Sequence, residues 1–579
     1  MSIKITSLTR KIWNIECNEV YEKSADDSPR FLQIFLQNRN IKDAQAFTDA
    51  SIRNCMPDPY AFVDMEKAVT RIAKAIEHKE RIMVFGDYDV DGVSSIAIMV
   101  NFLTHIGADV FYGIPNRNEE GYGLNVKSIE ENKDSLIITV DCGSGSINEL
   151  NYAKKIGVDV IVIDHHKMSC IPNAFAVINP HRPDEIDDYK RLCATGLVFM
   201  CIVGLNRLLR KSGFYSRQKP YTRINEPNLM DYMDLVALAT VCDVMEMRGL
   251  NRAFVRAGLK VIQMRKNVGI GAMIAINKKI SAITAETIAF FFGPRINAAG
   301  RILSAEISVR LLTTKNPIEA QALAMQLEKL NRERQVMEVA VLEEAVNFAD
   351  DSLNFVCAYS DKWHSGIIGI VAGRLKEKFG KPSIVIALDP ESGIGKASCR
   401  SIPEVDISEI INKGIESGVI LSGGGHYIAA GFSIKNEKIN ELITLLKNEI
   451  TYRCEGNELC ADCFLTIATA TSVAFMQMLA ELEPYGTGNK RPKFVIKNVE
   501  ILSPMMVGHG HIQAILDDGS GKILRTISFK SCDTLLGDVI LNYKRPVYAL
   551  GTLTMSEWKG KKYISMTLED VAEGDCRNI

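Results

Sequence analysis

The residues of this chain that could do chemistry collect at the ends of short apolar runs. RIMVF (81–85) leads directly into GDYDVDG (86–92), which sets Asp87, Asp89 and Asp91 at every second position. In extended backbone alternate residues share a face, so these three carboxylates can converge. SLIITV ends in Asp141 and then CGSGS, VDVIVI ends in Asp164, His165 and His166, and the apolar segment DLVALATVCDV carries Asp243 near its end. Carboxylates gathered this closely repel one another unless cations neutralise them. Oxygen donors mixed with imidazole suit Mn²⁺ or Mg²⁺ better than zinc, and a carboxylate such as Asp141 could bridge two ions, as in sites that activate water for phosphoryl transfer. A calcium loop of the EF-hand type is the competing reading of DxDxDG. Its flanks here read strand then helix, however, and the twelfth loop position, where a bidentate Glu belongs, is Ile98.

The elements that must position these groups form a repeating rhythm. RIMVF (81–85), SLIITV (135–140), VDVIVI (158–163) and AFAVIN (174–179) are β-branched-rich runs, separated by segments of helical spacing such as VSSIAIMVNFLTHIG (93–107). Strands alternating with helices predict an α/β fold, a doubly wound parallel sheet whose site lies beyond the carboxyl ends of the strands. Helical patterns dominate from 190 to 350, and 317–349 reads as one long helix with no Gly or Pro after its first residue. It either bridges two lobes or belongs to an ordinary bundle. A second, smaller α/β lobe follows with the runs NFVCAYS and SIVIALD. Beyond 460, KFVIKNVEIL, HIQAILDD, KILRTISFK, RPVYALGTLTM and KYISMTLEDV suit a C-terminal β-barrel or sandwich, an OB-fold first among them. The expected organisation is an N-terminal helical cap (1–75), a first α/β lobe (76–315), a connecting helix (316–350), the second lobe (351–455) and the barrel (456–579).

Bulk properties narrow the field less. A chain of 579 residues exceeds one hydrophobic core, so about three or four domains are expected. A net charge of −2 leaves room for a local basic groove masked by acidic ligands elsewhere. The start, MSIKITSLTRKIW, has no apolar signal core and no apolar run reaches the length of a membrane span, so a cytoplasmic protein is expected. Its 14 cysteines then read as reduced thiols. The cluster Cys454, Cys460 and Cys463 would need a fourth ligand to hold zinc, and no His lies nearby.

A second set of residues is suited to gripping phosphate. Arg117 and Tyr122 lie in PNRNEEGYG, Arg295 and Arg301 in GPRINAAGR, and Ser398 and Arg400 in KASCRS. The arginine fork pairs bidentately with phosphate, and a small hydroxyl can complete such a pocket. The GGGH turn (423–426) permits close backbone approach, and its His426 could reach a ligand. His364, ahead of a glycine-containing apolar stretch, has two readings, a functional group or an incidental surface residue. The basic run 489–493 and the Trp558–Tyr563 segment, whose aromatics flank lysines, offer single-strand nucleic-acid contacts or, for the aromatics, barrel core.

At these motifs the chain resembles the DHH phosphoesterase superfamily, whose name is spelled by Asp164-His165-His166, and most closely its bacterial single-strand-specific exonucleases. The likeness runs in order through GDYDVDG, PNRNEEGYGL, VDCGSG, VIDHH, ATGLVF, LATVCDV, GPRINAAGR, LNRERQ, HSGIIGIVAGRL, KASCRSIP, GGGHYIAAGF and LEPYGTGNKRP, nearly the whole chain. It implies that Asp89, Asp91, Asp141, His165 and Asp243 ligate two Mn²⁺ or Mg²⁺ ions. Phe85 stands where many relatives carry His, which leaves Asp87 to complete one shell. It further implies that Asp164 orients His165, that His166 meets the substrate phosphate, and that one phosphate pocket captures a 5′ end. The implied activity is release of mononucleotides from single-stranded DNA, in recombination and repair, by a monomer working with single-strand binding protein and a RecQ-type helicase. Two alternatives stay open: a phosphodiesterase or pyrophosphatase acting on small substrates, and a catalytically silent scaffold.

Overall fold

The computed structural model describes residues 3–16, 20–21, 28–115, 123–216, 224–277, 280, 282–350, 352–452, 458–508, 510–558 and 561–574. The chain divides into two compact units: residues 51–453, and residues 1–50 together with 454–579.

In the larger unit, five parallel strands run in the order Val110–Gly113, Ile82–Gly86, Leu136–Val140, Val160–Ile163 and Ala176–Ile178. Ile82–Gly86, Leu136–Val140 and Val160–Ile163 are buried along their whole length, as strands covered by helices on both faces must be. Val110–Gly113 is an edge strand of only partly buried residues, without the continuous apolar run that marks the others. The Asp243 segment is a helix, Met233–Cys242, with every residue from Met233 to Thr240 buried. A helix this apolar all round needs protein on every side, and it packs against Val90–His105 and Gly249–Met264.

The long helix spans Pro317–Val346 and is capped at its start by the Asn316 side chain. It bridges the lobes, packing against Gly293–Ile302 of the first and Ile368–Phe379 of the second. The second lobe is a mixed sheet ordered Ser422–His426, Ala429–Lys435, Ile394–Arg400, Ser383–Ala387 and Val356–Ser360, with only the last pair parallel.

In the other unit, His511–Asp517, Ile523–Ser528, Lys561–Glu573, Val547–Trp558 and Lys493–Val507 follow one another in a sheet that continues into Cys463–Leu465 and Val20–Tyr21, and the first and fifth of these strands also pair, closing a five-stranded barrel. The N-terminal segment is not the expected helical cap on the first lobe. Ile3–Thr6 and Ile12–Ile15 form a hairpin that continues into Glu458–Ala461. Trp13 is fully buried there and donates from Nε1 to Asp570 Oδ2 at 2.8 Å. Phe31, on the helix Ser28–Asn38, meets Phe475 edge-on at 5.2 Å. Only alternate residues of so short a strand are buried, so its apolar signal is weak beside the polar residues around it.

Candidate metal centre

The strand Ile82–Gly86 hands over to the helix Val90–His105 through Asp87, Tyr88 and Asp89. Asp89 caps that helix, its Oδ1 accepting from the amides of Asp91 (2.9 Å) and Gly92 (3.1 Å). Gly92 is obligatory: a Cβ there would stand 2.3 Å from the Asp87 carbonyl oxygen, so a side chain would push the loop and its carboxylates apart. Asp91 points across to the first turn of the helix Ala194–Lys211, where its two oxygens accept from Ala194 (2.8 Å) and Thr195 (2.9 Å). This fixes its orientation and explains the ATG at that helix start.

Asp141 follows the buried strand Leu136–Val140 with φ of 59°, and Val244 follows Asp243 with φ of 58°. Left-handed backbone costs a non-glycine residue energy, most of all a β-branched one, and both cases flank the site. The carboxylates converge on His165. Its Nε2 lies 3.2 Å from Asp141 Oδ1, 3.5 Å from Asp243 Oδ2 and 3.6 Å from Asp91 Oδ2. Asp91, His165 and Asp243 form one candidate ligand set, Asp87, Asp89 and Asp141 a second, and Asp141, His165 and His166 a third, the ligand atoms of each set within 4.8 Å of one another. Asp141 belongs to both the all-carboxylate set and a histidine set, as a bridging ligand would.

The electrostatics fit a cation. Burial, then repulsion from Asp91, Asp89, Asp87 and Asp243, raises the Asp141 carboxyl well above its ordinary value. Burial with Asp91 and Asp89 pushes Asp243 up to about 9. Asp243 Oδ2 is buried and accepts no hydrogen bond among the described residues. Burial also depresses His165, which keeps the neutral imidazole that ligation requires. Oxygen donors and one imidazole with uncompensated negative charge make a site for hard divalent ions such as Mn²⁺ or Mg²⁺.

Asp164 does not orient the His165 ring. Its Oδ1 takes the His165 amide (2.7 Å) and the Nδ1 of His166 (2.7 Å), while Oδ2 takes the Ser144 amide (3.0 Å). Burial opposes charge on His166, but the hydrogen bond and charge of Asp164 prevail and push it up to about 9. The pair presents an imidazolium beside the carboxylates. Which ring Asp164 holds depends on side-chain rotation, which residue order does not carry.

The phosphate candidates separate. Arg117 and Tyr122 lie outside the described residues, as does Cys454. Arg295 is engaged by Glu328 of the long helix at 2.6 Å and stacks over Phe291 at 4.0 Å, so it serves as a lobe-to-helix strut rather than an open grip. Arg301 donates across the lobes to the Gly366 carbonyl at 3.1 Å. Ser398 and Arg400 lie against the first turn of the helix Ile368–Phe379, where a Cβ on Gly369 would meet Ser398 Oγ at 2.9 Å and Arg400 Nη2 at 3.5 Å. A hydroxyl, a guanidinium and a helix N-terminus together form a phosphate-compatible pocket. His364 accepts from the Gly366 amide and shapes the turn into that helix. GGGH is not the expected turn but part of the exposed edge strand Ser422–His426, and at its end burial and the charges of Lys167, His166 and His165 lower the pKa of His426.

Three family models match along the chain: the DHH family N-terminal domain over 81–240, the DHHA1 domain over 352–451 and the RecJ OB domain over 461–570. The single-stranded-DNA-specific exonuclease RecJ of Dickeya dadantii is 31% identical over 94% of this chain and 96% of its own length. The Escherichia coli protein of that name gives the same identity and coverage. The Bacillus subtilis one, also 31% identical, is longer, and this chain spans 64% of it. A crystal structure of Thermus thermophilus RecJ with Mn²⁺ superposes with a TM-score of 0.79, at 27% identity over 94% of this chain and 76% of that one. The same protein with Mg²⁺ gives 0.74. Among the described residues no helix is long and apolar enough to cross a membrane.

Proposed function

The chain belongs to the RecJ family of DHH-domain exonucleases, and from that premise we propose that it hydrolyses single-stranded DNA from the 5′ end, releasing mononucleotides with two divalent ions. The observation that carries this reading is the convergence of Asp91, Asp141 and Asp243 on His165 beside a second carboxylate set. Asp91, Asp141, His165 and Asp243 would hold one ion, and Asp87, Asp89 and Asp141 the other. Such ions supply an activated water and neutralise charge on the phosphate.

The remaining roles fall to the chain's own groups. Asp164 keeps His166 charged and aimed, so that His166 donates to a non-bridging or leaving oxygen of the scissile phosphate. Ser398 and Arg400, at the mouth of the helix Ile368–Phe379, take the terminal phosphate. Anchoring that group and cutting one nucleotide away would set a 5′ polarity. Arg301, His426, Arg117 and Tyr122 would follow the strand, and the barrel, matched by the RecJ OB domain model, would bind single-stranded DNA in its own right. Family membership also supports a cytoplasmic monomer acting in recombination and repair alongside single-strand binding protein and a RecQ-type helicase.

Product analysis on long single strands labelled at either end tests the reading. With Mn²⁺, a 5′ label should appear at once in mononucleotides while a 3′ label stays on shortening strands. Release of the 3′ label first, or preference for dinucleotides over long strands, contradicts it.

A further inference from the structure

The motif LNRERQ (330–335) sits in the middle of the bridging helix, and nothing in the proposed chemistry uses it. Its Arg334 is only 8% exposed. A buried guanidinium needs partners, and Arg334 has two on its own helix: Nε donates to Asn331 Oδ1 at 3.2 Å and Nη1 to Glu338 Oε2 at 2.6 Å. The other oxygen of Glu338 is taken by Arg374 of the second lobe at 3.1 Å. One buried carboxylate thus serves two arginines, and the exposed Arg374 also reaches Glu377 at 3.3 Å, so Arg374 does not depend on Glu338 alone.

Arg334 lines a cavity of about 280 Å³ between the lobes, together with Arg301 and Asn297. Val244, next to the candidate ligand Asp243, and Pro294 and Ile370 supply apolar wall, and among the described residues no acidic one is in its lining. Two arginines and an amide side by side suit an anion, which would share the Arg334 fork with Glu338. The cavity adjoins the metal centre through Val244 and the Ser398–Arg400 pocket through Ile370, one residue beyond Gly369.

We propose that this cavity is a nucleotide-phosphate subsite in which Arg334 grips a phosphate distinct from the one at the metals, with the apolar wall covering the attached sugar. Glu338 holds the guanidinium in its donating orientation while sharing its own charge with Arg374. The inference rests on the nuclease reading above. Its ligand is a phosphodiester of the bound strand or the phosphate of a released mononucleotide, which share the same chemistry.

The test uses oligonucleotides carrying a single uncharged methylphosphonate at successive linkages from the 5′ end, assayed with Mn²⁺. Wild type is compared with Arg334→Lys, which keeps charge but loses the fork, and with the double variant R334Q/E338Q, which strands no buried charge. For wild type, one linkage should raise KM about tenfold when neutralised, the size of a lost charge-assisted bidentate contact. In both variants the unmodified strand should itself show a KM about tenfold higher than in wild type, and neutralising that linkage should then cost nothing further. If the ligand is released product, the profile stays and inhibition by free 5′-mononucleotide weakens about tenfold in the variants instead. Folded variants, checked by thermal melting, that keep both the wild-type profile and the wild-type inhibition overturn the proposal. If wild type degrades no strand at all, the nuclease reading fails instead.

Discussion

At the scale of single residues, the centre is a balance of groups held in uncomfortable states. Asp141 and Val244 occupy left-handed backbone, Asp243 keeps a buried oxygen that accepts no hydrogen bond among the described residues, and His166 keeps its proton because Asp164 is fixed beneath it. Asp164→Asn should leave Mn²⁺ affinity near wild type but lower kcat about 10- to 100-fold, the usual cost of losing a group that orients an active side chain. Calorimetry with Mn²⁺ and single-turnover kinetics check the two halves; a matching loss of metal affinity would make Asp164 a ligand-shell residue instead. Asp234 is another buried carboxylate, at the opposite end of the helix Met233–Cys242 from Asp243. Burial pushes it up to about 7, and its Oδ2 accepts no hydrogen bond among the described residues. A raised folded-state pKa means that folding takes up a proton, so this group's contribution is intact below pH about 4 and is lost as pH climbs to about 7. Asp234→Asn should therefore gain Tm over wild type at pH 8 and much less at pH 4. Equal shifts at both pH values would contradict this.

At the scale of elements, the strand-to-helix junctions do the positioning. Gly92→Ala would press a methyl against the Asp87 carbonyl and displace the GDYDVDG loop. Its melting temperature should fall by an amount matching about 1–3 kcal/mol, and its Mn²⁺ affinity should fall with it; unchanged metal binding would show that the loop tolerates the shift. Arg400→Ala should raise KM for single strands more than it lowers kcat, and a changed rate at saturation with unchanged KM would contradict its binding role. The same junctions explain what sequence could reveal. Asp87, Asp141 and His165 were legible because each follows a continuous apolar run, and the sheet topology brings such strand ends to one edge. Asp243 was legible as the end of an apolar segment, although that segment is a helix. The contact of Arg295 with Glu328 was not legible, because it joins residues on two helices whose packing no local pattern encodes. The hidden hairpin Ile3–Ile15 and the edge strand Val110–Gly113 lack a continuous buried run, so their period was too faint to read.

At the scale of the whole molecule, the chain's ends meet in one unit and the catalytic lobes make the other. The buried Trp13–Asp570 pair ties the first strands to the last, so removing residues 1–50 should lower the unfolding transition of the barrel unit and leave that of residues 51–453 in place. Two-transition calorimetry decides this; a single lowered transition would show that the units unfold together. Everything proposed for the larger unit depends on its carboxylates acting through divalent ions, with Asp141 common to both shells. The most direct measurement is Mn²⁺-dependent nucleotide release from 5′-ended single strands by purified, folded Asp141→Ala. Loss of a shared ligand should remove several kcal/mol of transition-state stabilisation, a fall of about a thousandfold or more. Activity within a few-fold of wild type would contradict the account at its centre.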